Sequence, residues 1–205
     1  MVLSLQGCMA VGKTTAARYV QAHMPCVHVC YEDNDAVIRA VRERGLRKDR
    51  FEDYVEIQRL WLCHEMDRYR EAAQHACSVM DFGAEEIVFY TLHYPRTVGK
   101  NWKVEEALAD ELEAVRACMP DRILFLDAPD DVLLARKQGD LTRDRTFFDH
   151  YLARLLPLKK QWLLGQNAVD VLRVGNLSMQ ETGERVKAWV KSCMEMGTDG
   201  GHDGG

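Results

Sequence analysis

The chain has 205 residues, with 32 acidic against 27 basic side chains and a net charge of −5. That length suits one α/β domain with a real core and is short for two. The acidic balance argues against extended nucleic-acid binding or attraction to an anionic membrane, and no apolar run approaches the ~20 residues of a membrane span.

In chain order, Val2-Leu3-Ser4-Leu5-Gln6 is a short, mostly apolar run that predicts a buried parallel strand. It enters directly into Gly7-Cys8-Met9-Ala10-Val11-Gly12-Lys13-Thr14, the spacing of a phosphate-binding loop. Gly7 and Gly12 permit backbone conformations in which successive N–H groups turn toward one anion. With Ala10, Val11 and Thr15 they form the expected nucleotide cradle. Lys13 is placed to reach the β- and γ-phosphates and Thr14 to ligate Mg²⁺. The amphipathic stretch Thr15–His23, closed by Pro25, predicts the helix whose positive end lies beneath the phosphates. With strand and loop at the very start of the chain, no leader peptide is expected.

Four further strands are predicted at Cys26–Tyr31, Cys77–Phe82, Arg122–Asp127 and Val169–Val174. Charged, apolar-periodic stretches at 52–76, 103–117, 130–138, 147–164 and 178–194 predict helices between and after them. Short apolar strands alternating with helices give a parallel sheet covered on both faces. Residues 1–192 are expected to form the single domain. Residues 193–205 are expected to be a Gly-rich disordered tail, because 197–205 have nothing to bury. Seven cysteines, mostly inside apolar runs and without Cys-x-x-Cys spacing, read as reduced thiols of a cytoplasmic protein.

Ligands of such sheets bind at the carboxyl ends of the strands. After the second strand comes Glu32-Asp33-Asn34-Asp35. Asp33 and Asp35 are candidates to orient an acceptor proton and serve a metal. The same acids suit the cap of a helix starting near Ala36. After the third strand, Asp81 is a candidate metal- or acceptor-linked carboxylate, whereas Glu85 and Glu86 read as solvated acids of a first helical turn. After the fourth, Arg136, Arg143 and Arg145 belong to a cation-rich segment suited to a lid over a triphosphate. Tyr90, His93, Tyr94 and Arg96 suit an acceptor pocket or ordinary packing equally well. Arg68 reads as a weak acceptor contact or a surface helix pair. Apolar positions around Ile57, Leu60, Trp61 and His64 suit either a homodimer surface or core.

Together these features resemble the P-loop small-molecule kinases, particularly the deoxynucleoside and thymidylate kinase group. The resemblance implies a three-layer α/β sandwich around a five-stranded parallel sheet of order 2-3-1-4-5. It also implies ATP and Mg²⁺ as cofactors, a nucleoside or nucleotide as the small-molecule acceptor, and one of Glu32, Asp33 or Asp35 as catalytic carboxylate. The chain departs from the group in two places. Asp81-Phe82-Gly83 lacks the arginine of the corresponding motifs, and no Glu-Pro dipeptide follows the second strand. Asp33-Asn34-Asp35 looks like the Asp-x-Asp element of shikimate kinase-like enzymes. A non-nucleoside hydroxyl acceptor (an antibiotic, a shikimate-like alcohol or a nucleic-acid end) therefore stays open, as does a nucleotide-dependent regulatory switch.

Overall fold

The computed structural model describes residues 1–138, 145–166 and 168–199. Strand β1 (Val2–Gly7) is buried along its whole length, as a central strand must be when helices cover both faces. It lies in a parallel sheet of order β2-β3-β1-β4-β5, with β2 at His28–Cys30, β3 at Ser78–Asp81, β4 at Arg122–Asp127 and β5 at Val169–Arg173. The register sets Leu5 beside Asp81 and Gly7 beside Leu126, so the end of β1 is flanked by the ends of β3 and β4. The predicted strand order is therefore the observed one.

Helix α1 (Lys13–His23) starts two residues earlier than its periodicity indicates, because the loop itself turns into it at Gly12. Helices α2 (Asp35–Glu43) and α3 (Phe51–Ala72) separate β2 from β3, and α4 (Ala84–Thr97) follows β3. The 103–117 stretch is two helices, α5 (Val104–Ala107) and α6 (Ala109–Arg116), parted at Leu108. Helix α7 (Asp130–Gln138) follows β4 as predicted. The closing helix, α10 (Met179–Asp199), continues past Cys193, where the sequence places the start of the tail. Among the described residues no helix is long and apolar enough to cross a membrane.

Two prolines shape the helices around the site. The 147–164 stretch is α8 (Arg145–His150), a π-turn at Tyr151–Leu155 and α9 (Leu156–Leu164). Pro157 has no N–H to give the Ala153 carbonyl, so the turn before it widens. In α4, Pro95 likewise leaves the Thr91 carbonyl without its helical donor. The Tyr54 hydroxyl of α3 supplies one, at 3.1 Å from that carbonyl and 3.2 Å from the Tyr90 carbonyl.

Two apolar clusters hold the layers. One joins Leu3, Leu5 and Phe125 of the sheet to Val20 of α1 and Val186 and Val190 of α10. The other joins Tyr54 and Leu62 of α3 to Val88 of α4 and to Leu112 and Val115 of α6. Ile57 is core, whereas Trp61 on the same helix borders a cavity.

Candidate active site

The turn from β1 into α1 is built from backbone that side chains resist. Gly7 has φ +143°, and a Cβ there would come within 2.6 Å of the Leu126 carbonyl oxygen. Gly12 has φ +108° and Ala10 φ +63°, both left-handed. Arg136 of α7 clamps the loop from outside, donating 3.0 Å bonds to the carbonyls of Val11 and Val174. The Lys13 ammonium rests on the Gly7 and Cys8 carbonyls at 3.3 and 3.2 Å. Burial and the nearby Lys159 ammonium hold its pKa below the usual lysine value.

Two cavities open on this loop. The larger, about 500 Å³, is lined by Ala10, Val11, Gly12, Thr14, Thr15 and Arg136, and on its far wall by Leu177 to Met179. The smaller, about 230 Å³, is framed by Gln58 and Trp61 of α3, Tyr90 of α4, and Phe147 and Tyr151. Lys13 and Glu32 line both. A donor phosphate held in the first cavity and an acceptor held in the second would meet at these two side chains.

Asp81 ends β3 buried, 3% exposed, and its Oδ2 accepts a 2.5 Å bond from Thr14 Oγ1. This pairing of a hydroxyl and a carboxylate at the larger cavity is an oxygen set that would suit Mg²⁺. The described residues contain no cluster of three or more His, Cys, Asp or Glu able to hold a metal alone. Glu32, held by the Asn34 side-chain amide, is the acid that faces both cavities. Asp33 instead lines a separate surface groove with His28, His64 and Asp67, and Asp35 lines neither cavity. Arg143 lies outside the described residues, and Arg145 is the first residue of α8.

Glu85 and Glu86 are not the solvated acids the sequence suggests. Glu85 is 1% exposed, and its Oε1 accepts from Ser4 Oγ, Gln6 Nε2 and the Gly83 N–H. Two polar residues alternating on an otherwise apolar strand were the signal for a buried partner. Glu86 accepts from the Lys159 ammonium through Oε2 and from the Tyr151 hydroxyl through Oε1. Lys159 lies on α9, 1% exposed, and also donates to the Gly7 carbonyl at 3.4 Å. Nothing local in the sequence marks it.

Arg68 is likewise not a surface residue, and it lines neither of the two cavities. Buried in α3, it pairs with both oxygens of Glu65 and donates to the Tyr31 carbonyl at 3.1 Å, tying the end of β2 to α3. Burial pushes the Glu65 carboxyl up to about 7 despite that partner. Of the aromatic cluster, Tyr90 stacks on Tyr94 with ring centroids 4.6 Å apart and borders the smaller cavity. His93 stacks on core Phe89.

Loop, sheet order and paired cavities define the class: a P-loop α/β protein with the fold of the deoxynucleoside and thymidylate kinases. No protein-family profile and no curated protein matches the chain. Among solved structures, a deoxyadenosine kinase from M. mycoides, with dCMP and a flexible dCDP bound, matches at TM-score 0.68 and 13% identity. The match covers 94% of this chain and 100% of that one. The same kinase with bound dCTP matches at TM-score 0.66 and 12% identity, with the same coverage of both chains. A thymidylate kinase from Candida albicans matches at TM-score 0.64 and 11% identity, over 94% of this chain and 91% of that one.

Proposed function

We propose that this protein is an ATP- and Mg²⁺-dependent phosphotransferase that moves a γ-phosphoryl group to a nucleoside or nucleotide. The observation that carries this reading is that the two cavities share Lys13 and Glu32. The fold it shares with deoxyadenosine and thymidylate kinases supports it.

In this mechanism the loop N–H groups and the α1 N-terminus hold the triphosphate. Lys13 leaves its resting carbonyls for the β- and γ-phosphates and neutralises charge that builds during transfer. Bound Mg²⁺, held through Thr14 and Asp81, supplies charge neutralisation at the phosphate oxygens. Glu32 orients the acceptor oxygen and, where that oxygen is a hydroxyl, takes its proton. Trp61, Tyr90 and Phe147 offer faces for a base. The Gln58 side-chain amide nitrogen, buried without a partner while its oxygen accepts from Thr91, is a donor available to a ring acceptor. Arg136 fixes the loop rather than reaching across it. We take residues 1–192 to act as one catalytic domain in the cytoplasm.

Incubation with labelled ATP, Mg²⁺ and a panel of nucleosides and nucleotides tests the reading. Label in at least one acceptor, lost in Glu32→Gln, is expected. Transfer that is undiminished in Glu32→Gln, or transfer only to non-nucleoside alcohols, would contradict it.

A further inference from the structure

Two lysines from opposite ends of the chain converge on one carbonyl. Lys13 Nζ and Lys159 Nζ lie 3.3 and 3.4 Å from the Gly7 oxygen, Lys159 reaching it across 152 residues of sequence. Lys159 is otherwise anchored: it contacts Glu86, and the Tyr151 hydroxyl lies 3.1 Å away. Among the described residues the hydrogen bonds of Lys13 go to two loop carbonyls, those of Gly7 and Cys8. Gly7 packs closely against β4, where a Cβ would come within 2.6 Å of the Leu126 carbonyl oxygen.

We propose that Lys159 is a positioning residue that keeps the Gly7 carbonyl satisfied and pushes Lys13 off it, releasing Lys13 to an incoming triphosphate. The inference rests on the reading of Gly7–Thr14 as a triphosphate loop, but not on any acceptor. Buried backbone oxygens are costly to leave without a donor. When Lys13 swings to phosphate, the Gly7 carbonyl keeps Lys159 and the Cys8 carbonyl keeps the Val11 N–H, so the movement strands neither. The repulsion between the two ammonium groups destabilises the resting state and favours the bound one. Glu86 and the hydroxyl of Tyr151, the first residue of the π-turn, hold Lys159 in place.

Inorganic tripolyphosphate is the probe, because it needs neither a base pocket nor an acceptor. The variant is Lys159→Met/Glu86→Gln, which removes the pair without leaving a buried charge. Calorimetric affinity is expected to fall at least about fivefold, within the range usual for coupled sites. In a Lys13→Ala background the same pair of substitutions is expected to change affinity little, because the resting contact it acts on is gone. General damage to the fold would weaken binding equally in both backgrounds. Unchanged affinity, or an equal loss in both backgrounds, would overturn the proposal. Should the double variant not fold, ¹⁵N-lysine spectra of the wild-type protein decide. Tripolyphosphate should shift the Lys13 ammonium signal, assigned with Lys13→Ala, and leave that of Lys159 in place. Movement of both, or of neither, would overturn it. A wild-type chain that does not bind tripolyphosphate overturns both this inference and the loop reading. Tripolyphosphate behaviour as expected, without phosphorylation of any nucleoside or nucleotide, leaves this inference standing and removes the kinase reading.

Discussion

Thr14 Oγ1 donates to Asp81 Oδ2 across 2.5 Å, joining the first turn of α1 to the end of β3. Two residues 67 apart in sequence thereby present oxygen atoms to the larger cavity. Replacing the carboxylate by an amide keeps the shape and removes the charge. Asp81→Asn is expected to raise the Mg²⁺ concentration for half-maximal transfer by about 10–100-fold, the usual penalty for weakening a metal's support. A titration of rate against Mg²⁺ checks this, and an unchanged midpoint would remove Asp81 from the metal site.

Tyr54 satisfies the carbonyl that Pro95 leaves open in α4. Tyr54→Phe keeps the ring and strands that oxygen, so stability should fall by about 1–3 kcal/mol. Denaturant unfolding measures it. A loss no larger than that of an exposed Tyr→Phe change would mean that Thr91 finds another donor.

Glu65 gives stability a pH dependence of defined sign. Its carboxyl is raised to about 7 in the folded chain, from an ordinary value of 4.5, chiefly by burial. The folded state therefore binds the extra proton between those values. Its contribution is fully present below about pH 4.5 and is lost as pH rises through about 7. Unfolding free energy in Glu65→Gln should lack this decline between pH 5 and 8. A decline of equal size in both proteins would assign it elsewhere.

The Lys48 ammonium projects over the Tyr90 and Phe147 rings, 5.6 and 6.0 Å from their centroids, at the smaller cavity. The side chain as a whole is exposed, but partial desolvation of its ammonium end at the cavity lowers its pKa from the usual lysine value. A cation so placed favours acceptors that carry phosphate. Lys48→Ala should raise KM about fivefold for nucleoside monophosphates, the ~1 kcal/mol upper range of an exposed ion pair. KM for neutral nucleosides should change less. Equal effects on both classes would assign Lys48 a packing role.

Much of this architecture was legible locally. The spacing Gly7 to Thr14 and the apolar run before it are continuous in sequence, so strand, loop and helix could be placed without tertiary knowledge. Asp81 stands out in the sequence as a carboxylate ending an apolar strand, and the fold sets it against Thr14. Glu32 was harder. Three acids lie within four residues, and which of them faces the cavities depends on the irregular backbone between β2 and α2, where no periodicity applies. Arg68 reads as a weak acceptor contact or a surface pair, and nothing marks Lys159, because each lies in a charged helical stretch. Their burial follows from partners that only the folded chain brings together: strand-end carbonyls for Arg68, and Gly7 and Glu86 for Lys159.

The proposed mechanism turns on Lys13 serving a phosphoryl donor in one cavity and an acceptor in the next. Transfer of label from γ-³²P-ATP to nucleosides and nucleotides, by the wild-type chain and by Lys13→Ala at saturating Mg²⁺, probes this without intermediaries. A labelled nucleotide product is expected with the wild-type chain, and a loss of about 10²–10³-fold in Lys13→Ala, the scale for one charge-stabilising group. Undiminished transfer by the Lys13→Ala variant, or no labelled product from the wild-type chain, would contradict it.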